Sequence, residues 1–456
     1  MELKVKAKLD PGYTPIHLAM LDFERRAKEE GSVPLTVAVE RGADCVNVVK
    51  TAVFASGHEE ENFNYVERLA KSMLWVFGGY KIIIAGPKYI FDRIDAAYKP
   101  DGLRSFDYGF MAKVFEHQFE CEYRDFADMP ETKGASASVG RHLDGCRIGF
   151  DAGGSDRKVS AVVNGETVYS EEVVWFPKTS KDPQYQYDGI LSAMKTAASH
   201  MPRVDAIGVS SAGVIINNRL MSSSIFLAVS PEDYDRVAKN VYLDTAREIG
   251  DVPVEVANDG DVTALAGAMD LNDTNVLGVA MGTSEAGGYV DGDGNVTGWL
   301  NELAFVPADY SKDAMVDEWS GDYGCGVKYF SQDAVIKLAP AAGIQLDPAL
   351  SPAEKLKVVQ GLMKEGDSRA ADIYDTIGVY FGYTIAFYSR FYDIKHVLIM
   401  GRVTSGEGGG IVLDRARKVL DCEFPALAEK IQLHIPDENS RRVGQSVAAA
   451  SLPEIK

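Results

Sequence analysis

At 456 residues, with 46% hydrophobic and 25% charged residues, the chain has an ordinary globular composition and is too long for one hydrophobic core, so two or three domains are expected. No apolar run approaches the roughly eighteen residues a membrane span needs, and the formal charge of −20 argues against a nucleic-acid partner, whose binding rests on clustered Lys and Arg. Cys45, Cys121, Cys146, Cys325 and Cys422 are scattered without a pairing motif, and MELKVKAKLD has no apolar signal core, so a cytoplasmic location is expected.

In chain order, residues 1–140 hold the strand-like runs LTVAVE and KIIIAG, separated by FNYVERLAKSMLWVFGG, whose apolar spacing and terminal glycines predict a helix with a glycine stop. This α/β unit does not read as a winged or helix-turn-helix module; a degenerate lobe, a substrate-shaping domain and a dimerisation domain all fit it. The stretch ADMPETKGASASVGRHLDG, 127–145, is poor in large apolar residues and predicts a linker. A strand then begins at CRIGFDAGGSDRKVSAVV and, after a turn at NGE, TVYSEEVVWF continues a hairpin meander. The helix-like YDGILSAMKTAASHM leads to the buried run VDAIGVSSAG, and this alternation predicts a mostly parallel or mixed sheet.

Chemistry concentrates at three junctions. In GFDAGGSDRK, Asp151 ends a strand and Gly153, Gly154 and Ser155 form the turn into the next. Glycines let backbone N–H groups approach a phosphate, and a carboxylate beside them can hold the water shell of Mg²⁺; a hairpin turn that merely needs glycine is the other reading. NVLGVAMGTSEAGGYV repeats the arrangement with Gly282, Thr283 and Ser284. Between them, VEVANDGDVTALAGAM runs from an apolar strand through Asn258, Asp259, Gly260 and Asp261 into an alanine-rich helix. An acid there is either catalytic or a helix cap, and Asp261 is expected to be the cap. Two other motifs fail: Asp291, Asp293, Asn295, Thr297 and Glu302 have calcium-loop spacing, but Val296 stands at the glycine position and the flanks read as a hairpin. GVSSAG lacks the glycine pair of a nucleophile elbow, and His142, His200 and His396 stand alone.

These segments, in this order, resemble the ROK (repressor, open reading frame, kinase) sugar kinases, within the actin-like ATPase superfamily of hexokinase and the heat-shock chaperones, over about residues 146–456. HVLIMGRVTSGEGGG looks like that family's adenosine loop and RRVGQSVAAASL like its closing helix. The resemblance implies a two-lobed, actin-like ATPase (ribonuclease H-like) α/β core: a first lobe from 146–258 plus a C-terminal helix near 440–456, a second lobe from 259–439, and an extra N-terminal α/β domain over 1–140. It implies ATP- and Mg²⁺-dependent phosphoryl transfer to a hydroxyl of a sugar or related polyol, by a protein that meets small molecules, neither nucleic acid nor membrane, and for which a homodimer is open. Asp259 would be the general base and Asp151 would hold Mg²⁺ through water. Gly153, Gly154, Ser155, Lys158, Gly282, Thr283 and Ser284 would bind phosphate, and Gly401 and Arg402 would contact adenosine. Asn258, Glu302, Ser211 and Asn217 would bind the acceptor.

The chain departs from the family at the acceptor side. LNELAFVP places Phe305 where the family has a zinc-ligand histidine, and GDYGCGVKYF offers only Cys325 where a cysteine cluster should follow, so no structural zinc is expected. In GVSSAGVIINNRLMSSS, Ser-Ala replaces a proline and a glycine of the segment that closes over the sugar, and Asn217, Asn218 and Ser222 to Ser224 either line a pocket or form a solvated loop. A non-catalytic nucleotide or sugar sensor that keeps the fold is the alternative; the intact Asp151, Asp259 and both glycine loops favour the enzyme.

Overall fold

The computed structural model describes residues 2–42, 44–134, 139–436 and 438–455, and of 438–443 the backbone only. The chain divides into two compact units: one of Met1–Ala135, Val279–Gly287 and Trp299–Ile435, the other of Ser136–Gly278, Gly288–Gly298 and Pro436–Lys456.

The second unit is built on a five-stranded sheet in the order Val254–Asn258, Ala206–Ser211, Cys146–Ala152, Asp156–Val163, Glu166–Val174. The expected meander is its antiparallel half, and Cys146–Ala152, Ala206–Ser211 and Val254–Asn258 are its parallel half. Ile148, Phe150, Ile207 and Val209 pack with Ile190 and Met194 of the helix Gln184–Ser199. The helix Glu438–Ala450 packs against the sheet's central strands. That approach needs glycine: a Cβ on Gly149 would lie 1.8 Å from the Ser446 carbonyl, and one on Gly208 1.7 Å from that of Ala449.

The first unit contains the N-terminal sheet, in the order Cys45–Phe54, Ser32–Gly42, Lys81–Ala85, Glu120–Tyr123. LTVAVE and KIIIAG fall in its strands and the expected helix spans Glu59–Phe77. The strand Cys45–Phe54, antiparallel to Ser32–Gly42, escaped the sequence reading because its burial alternates too irregularly to show a clean period. A further sheet runs Glu285–Val290, Val276–Met281, His396–Met400, Gln432–His434. The helix Ser368–Tyr388 is buried along most of its length, and Gly378 and Gly382, one turn apart, let it lie directly on the carbonyls of Val412 and Ala416 in Glu407–Glu423.

The segment expected to be a linker is fastened at both described ends. Val46 and Lys133 form an antiparallel bridge, Gly140 and His142 donate N–H to the carbonyls of Leu452 and Ser451, and the Arg141 guanidinium bonds the carbonyls of Ala268 and Asp273. Residues 135–138 of that stretch lie outside the described residues. Residues 288–298 form the hairpin read from the calcium-like spacing, with Asp291 accepting the amides of Asp293 and Asn295.

Candidate active site

In the second unit the strand Cys146–Ala152 delivers Asp151 to its C-terminal end, 4% exposed. Ser210, one strand over, donates to Asp151 Oδ1 at 2.7 Å, and Lys158 Nζ stands 3.9 Å from Oδ2 and 3.2 Å from Asp156. Burial pushes the Asp151 carboxyl up to about 6, against the Ser210 hydrogen bond and Lys158, and the neighbouring Asp259 adds to the rise.

Asp259 opens the helix Asp259–Leu271, and Asn258 is its cap: Asn258 Oδ1 accepts the Gly260 amide at 2.7 Å. This corrects the expectation that Asp261 caps the helix. The buried Asp261 carboxylate instead accepts the Tyr289 amide at 3.1 Å, because the strand Glu285–Val290 comes so close that a Cβ on Gly288 would sit 2.1 Å from the Gly260 carbonyl. The half-buried Asp259 is raised by burial as well, opposed by the Gly260 amide, which donates to its Oδ1 at 3.0 Å. Gln445 of the C-terminal helix reaches both Ser210 Oγ, at 3.3 Å, and the Asp259 carbonyl, at 3.5 Å, a link between 186 and 235 residues long that no local motif signals.

The first glycine loop is held from behind: Trp175 Nε1 donates to the Gly153 carbonyl at 2.8 Å, Ser155 Oγ donates to Asp156, and Lys178 lies across Gly154, its Nζ 2.8 Å from where a Cβ would be. Lys178 is a cation at this loop that sequence reasoning missed, since it follows Gly154 by a whole hairpin. Of the acceptor-side residues in this unit, Asn258 spends its amide on the Gly213 carbonyl at 2.7 Å while its oxygen caps the helix. Ser211 is fully buried and bonds Tyr242 Oη at 2.6 Å. Asn217 is exposed in the left-handed turn Asn217–Asn218, and Asn218 knits that hairpin to Val254 and Val256.

In the first unit, Gly282 donates to the Ser284 carbonyl, and Thr283 and Ser284 present exposed hydroxyls. Gly401, φ 104°, sits where a Cβ would be 2.3 Å from the Met281 carbonyl, so the adenosine-like loop can pass only as glycine. Arg402 is exposed, and its carbonyl accepts from Gln360. Beside it a cavity of about 380 Å³ is lined by Lys357, Gln360, Tyr374 and 405–408, and the Tyr374 hydroxyl is buried with no partner among the described residues. Glu302 is half-buried, its amide bonded to the Trp75 carbonyl. Phe305 packs its ring 4.2 Å from Trp75, and Cys325 is buried beside Asp322. Among the described residues no group of three or more His, Cys, Asp or Glu side chains is arranged to hold a metal, and no helix is long and apolar enough to cross a membrane.

A comparison with curated proteins found no match. Among solved structures the chain is similar to the ROK hexokinase from Thermus thermophilus, at 18% identity and a TM-score of 0.52, over 67% of this chain and 96% of that one. It is also similar to a ROK family glucokinase from Streptomyces griseus solved with glucose and AMPPNP, at 20% identity and 0.48, over 67% and 98%. A third is a ROK family transcriptional regulator described as a homolog of the E. coli MLC protein, at 17% and 0.49, over 68% and 79%. The α/β fold is thus the actin-like ATPase (ribonuclease H-like) core with an extra N-terminal α/β region. Residues 147–420, more than half of the sequence, match the ROK family model, and the chain belongs to the ROK family.

Proposed function

We propose that the protein is an ATP-dependent kinase for a hydroxyl of a sugar or related polyol, with Asp259 as general base. The observation that carries this is a pair of carboxyls raised by burial, the buried Asp151 at a strand end and the half-buried Asp259 at a helix start, close enough for the second to raise the first, with Lys158 facing Asp151. Carboxyls raised in this way support the reading of a site that works on a ligand. Asp259 would take the proton from the acceptor hydroxyl; its position at the helix N-terminus favours the ionised form, and phosphoryl transfer asks more for positioning than for a strong base.

Asp151 suits a metal's water shell better than direct ligation, because Oδ1 is taken by Ser210 and Oδ2 faces Lys158. Mg²⁺ bound with the triphosphate would supply charge neutralisation. Gly153, Gly154, Ser155 and Lys158 would supply amides, a hydroxyl and a cation to phosphate oxygens; Gly282, Thr283 and Ser284 would serve as a phosphate loop in their own unit. Gly401, Arg402 and the cavity beside them would take the adenosine. On the acceptor side Glu302 and Asn217 would meet the sugar, while Asn258 and Ser211 would chiefly hold the strand ends that present Asp259.

The test is ADP release by the full chain with ATP and Mg²⁺ across hexoses, amino sugars and polyols, beside Asp259→Asn. Acceptor-dependent turnover abolished by the substitution establishes the kinase; nucleotide binding without turnover on any acceptor overturns it in favour of a sensor.

A further inference from the structure

The N-terminal region is tied to the loop that carries Glu302 on both sides of that residue. The helix Glu59–Phe77 ends with carbonyls that its own backbone cannot satisfy. Three consecutive amides of the loop satisfy them: Glu302 donates to Trp75 at 3.0 Å, Asn301 to Val76 at 3.0 Å and Leu300 to Phe77 at 3.3 Å. Asn301 adopts φ 52° to do so, and its side-chain oxygen accepts from Tyr392 Oη at 2.8 Å. Beyond Glu302 the chain turns through Leu303–Phe305, and the Phe305 ring packs against Trp75, tilted by 32°.

The next segment is pinned to the same helix by charge. Residues 306–308 run beside 324–326, through Gly326 to the Val306 carbonyl and Ala308 to that of Gly324. Two residues before that second segment stands Asp322, which takes a bidentate pair from Arg68 at 2.8 and 2.9 Å, Lys71 at 3.3 Å and Arg104 at 2.9 Å. Glu67 and Asp107 complete three anions against three cations, all with side chains no more than 4% exposed. Trp75 Nε1 donates to Asp107 at 3.0 Å, so the residue that packs against Phe305 is also bonded into the cluster.

We propose that the N-terminal region is a built-in positioning element for acceptor recognition: the helix Glu59–Phe77 sets where Glu302 stands, with Trp75, Arg68 and Lys71 as positioning residues. This rests on the reading of Glu302 as an acceptor ligand. None of the three positioning residues needs to touch the acceptor. A neutral cluster with three charges of each sign holds its geometry by direction as well as by contact, and the three amide bonds leave the loop little freedom to shift.

The experiment uses the full chain with Trp75→Leu, which loses both the ring contact and the indole N–H, and Trp75→Phe, which restores the ring. Two readouts are taken: hydrogen exchange of the amides in 299–306, and the KM values for acceptor and ATP separately. Trp75→Leu is expected to speed exchange at 300–302 about tenfold and to raise the acceptor KM about fivefold with the ATP KM within about twofold, and Trp75→Phe to recover most of both. Unchanged exchange overturns the proposal, as does a rise in both KM values together, which marks general loss of structure. If Trp75→Leu does not fold, Phe305→Leu trims the same contact from the loop side and is read the same way. If the wild-type chain turns over no acceptor, the kinase reading fails, and exchange alone then decides whether the helix holds the loop.

Discussion

Two buried aspartates in this chain are pushed in opposite directions. Asp151, in the second unit, has one cation 3.9 Å away and a second acid as neighbour, and burial carries its carboxyl up to about 6. Asp322, in the first unit, is raised by burial too, but Lys71, Arg68 and Arg104 together outweigh that and hold it far below the usual carboxylate range. The same side chain, equally hidden from water, is a source of strain in one place and a fastening in the other. What separates them is whether the fold supplies enough opposite charge; under the proposed kinase reading, the ligand would bring what Asp151 lacks.

The comparison breaks most visibly at Asp322. Asp322→Asn leaves three buried cations facing two carboxylates, and breaking a buried pair from one side costs about 3–5 kcal/mol. Urea unfolding of the full chain should show that loss, and the loss should shrink as pH falls. The depressed carboxyl contributes stability above its unfolded value of 3.8 and gives it up as pH drops below that value. A variant as stable as the wild type at neutral pH would mean that the cluster is ornamental. Asp259→Asn should do the reverse. Removing a raised, half-buried carboxyl leaves the melting temperature unchanged or higher, while kcat falls about a thousandfold. Retained turnover would remove Asp259 as the base.

Legibility in the sequence follows the same divide. The acid pair and both glycine loops sit at strand ends a few residues from recognisable turns, so GFDAGGSDRK, VEVANDGDV and AMGTSEAGG exposed them, and the mixed sheet around Asp151, with its antiparallel meander, followed from alternation and turn residues. The ionic cluster was invisible because the bonds that close it join residues 36 to 254 positions apart, and charges on a helix read as a solvated face until something covers them. Phe305 and Cys325 appeared in the sequence only as departures from a metal motif; the structure shows them packed against Trp75 and Asp322. The cap at Asn258 rather than Asp261 was a question of one strand's approach, which local spacing does not carry.

Glu285 sharpens the contrast by a third case, a buried acid with no cation beside it among the described residues. It begins the strand directly after Gly282–Ser284, 3% exposed; Oε1 accepts from Tyr388 at 3.0 Å, and Oε2 has no partner among the described residues. Gly326 makes room for it, since a Cβ there would be 2.2 Å from Oε2. Burial pushes the carboxyl up to about 8, and only the Tyr388 hydrogen bond opposes this. The folded chain therefore keeps a proton that the unfolded chain releases above 4.5, so stability is full below that pH and falls up to about 8, by at most about 1.4 kcal/mol per pH unit. Glu285→Gln should match the wild type near pH 4 and exceed it near pH 8 in thermal melts; parallel pH curves would show that the acid titrates alike in the folded and unfolded chain.

The smallest expected effect is at Lys178, where the second unit's shortage of positive charge is partly met. Trp175 fixes the start of the turn Pro177–Thr179 through its bond to the Gly153 carbonyl, and that places the Lys178 ammonium over Gly154, exposed and, among the described residues, paired with no carboxylate. A cation held over a glycine loop is free to pair with phosphate oxygens, and its exposure keeps the gain modest and sensitive to salt. Lys178→Ala should raise the ATP KM about tenfold at low ionic strength and leave the acceptor KM where it was, with Lys178→Arg intermediate. The gap between variant and wild type should narrow as salt is added. An ATP KM that stays put at low salt would leave Lys158 as the only cation serving this loop, and the acid pair beside it would then depend still more on charge the ligand brings.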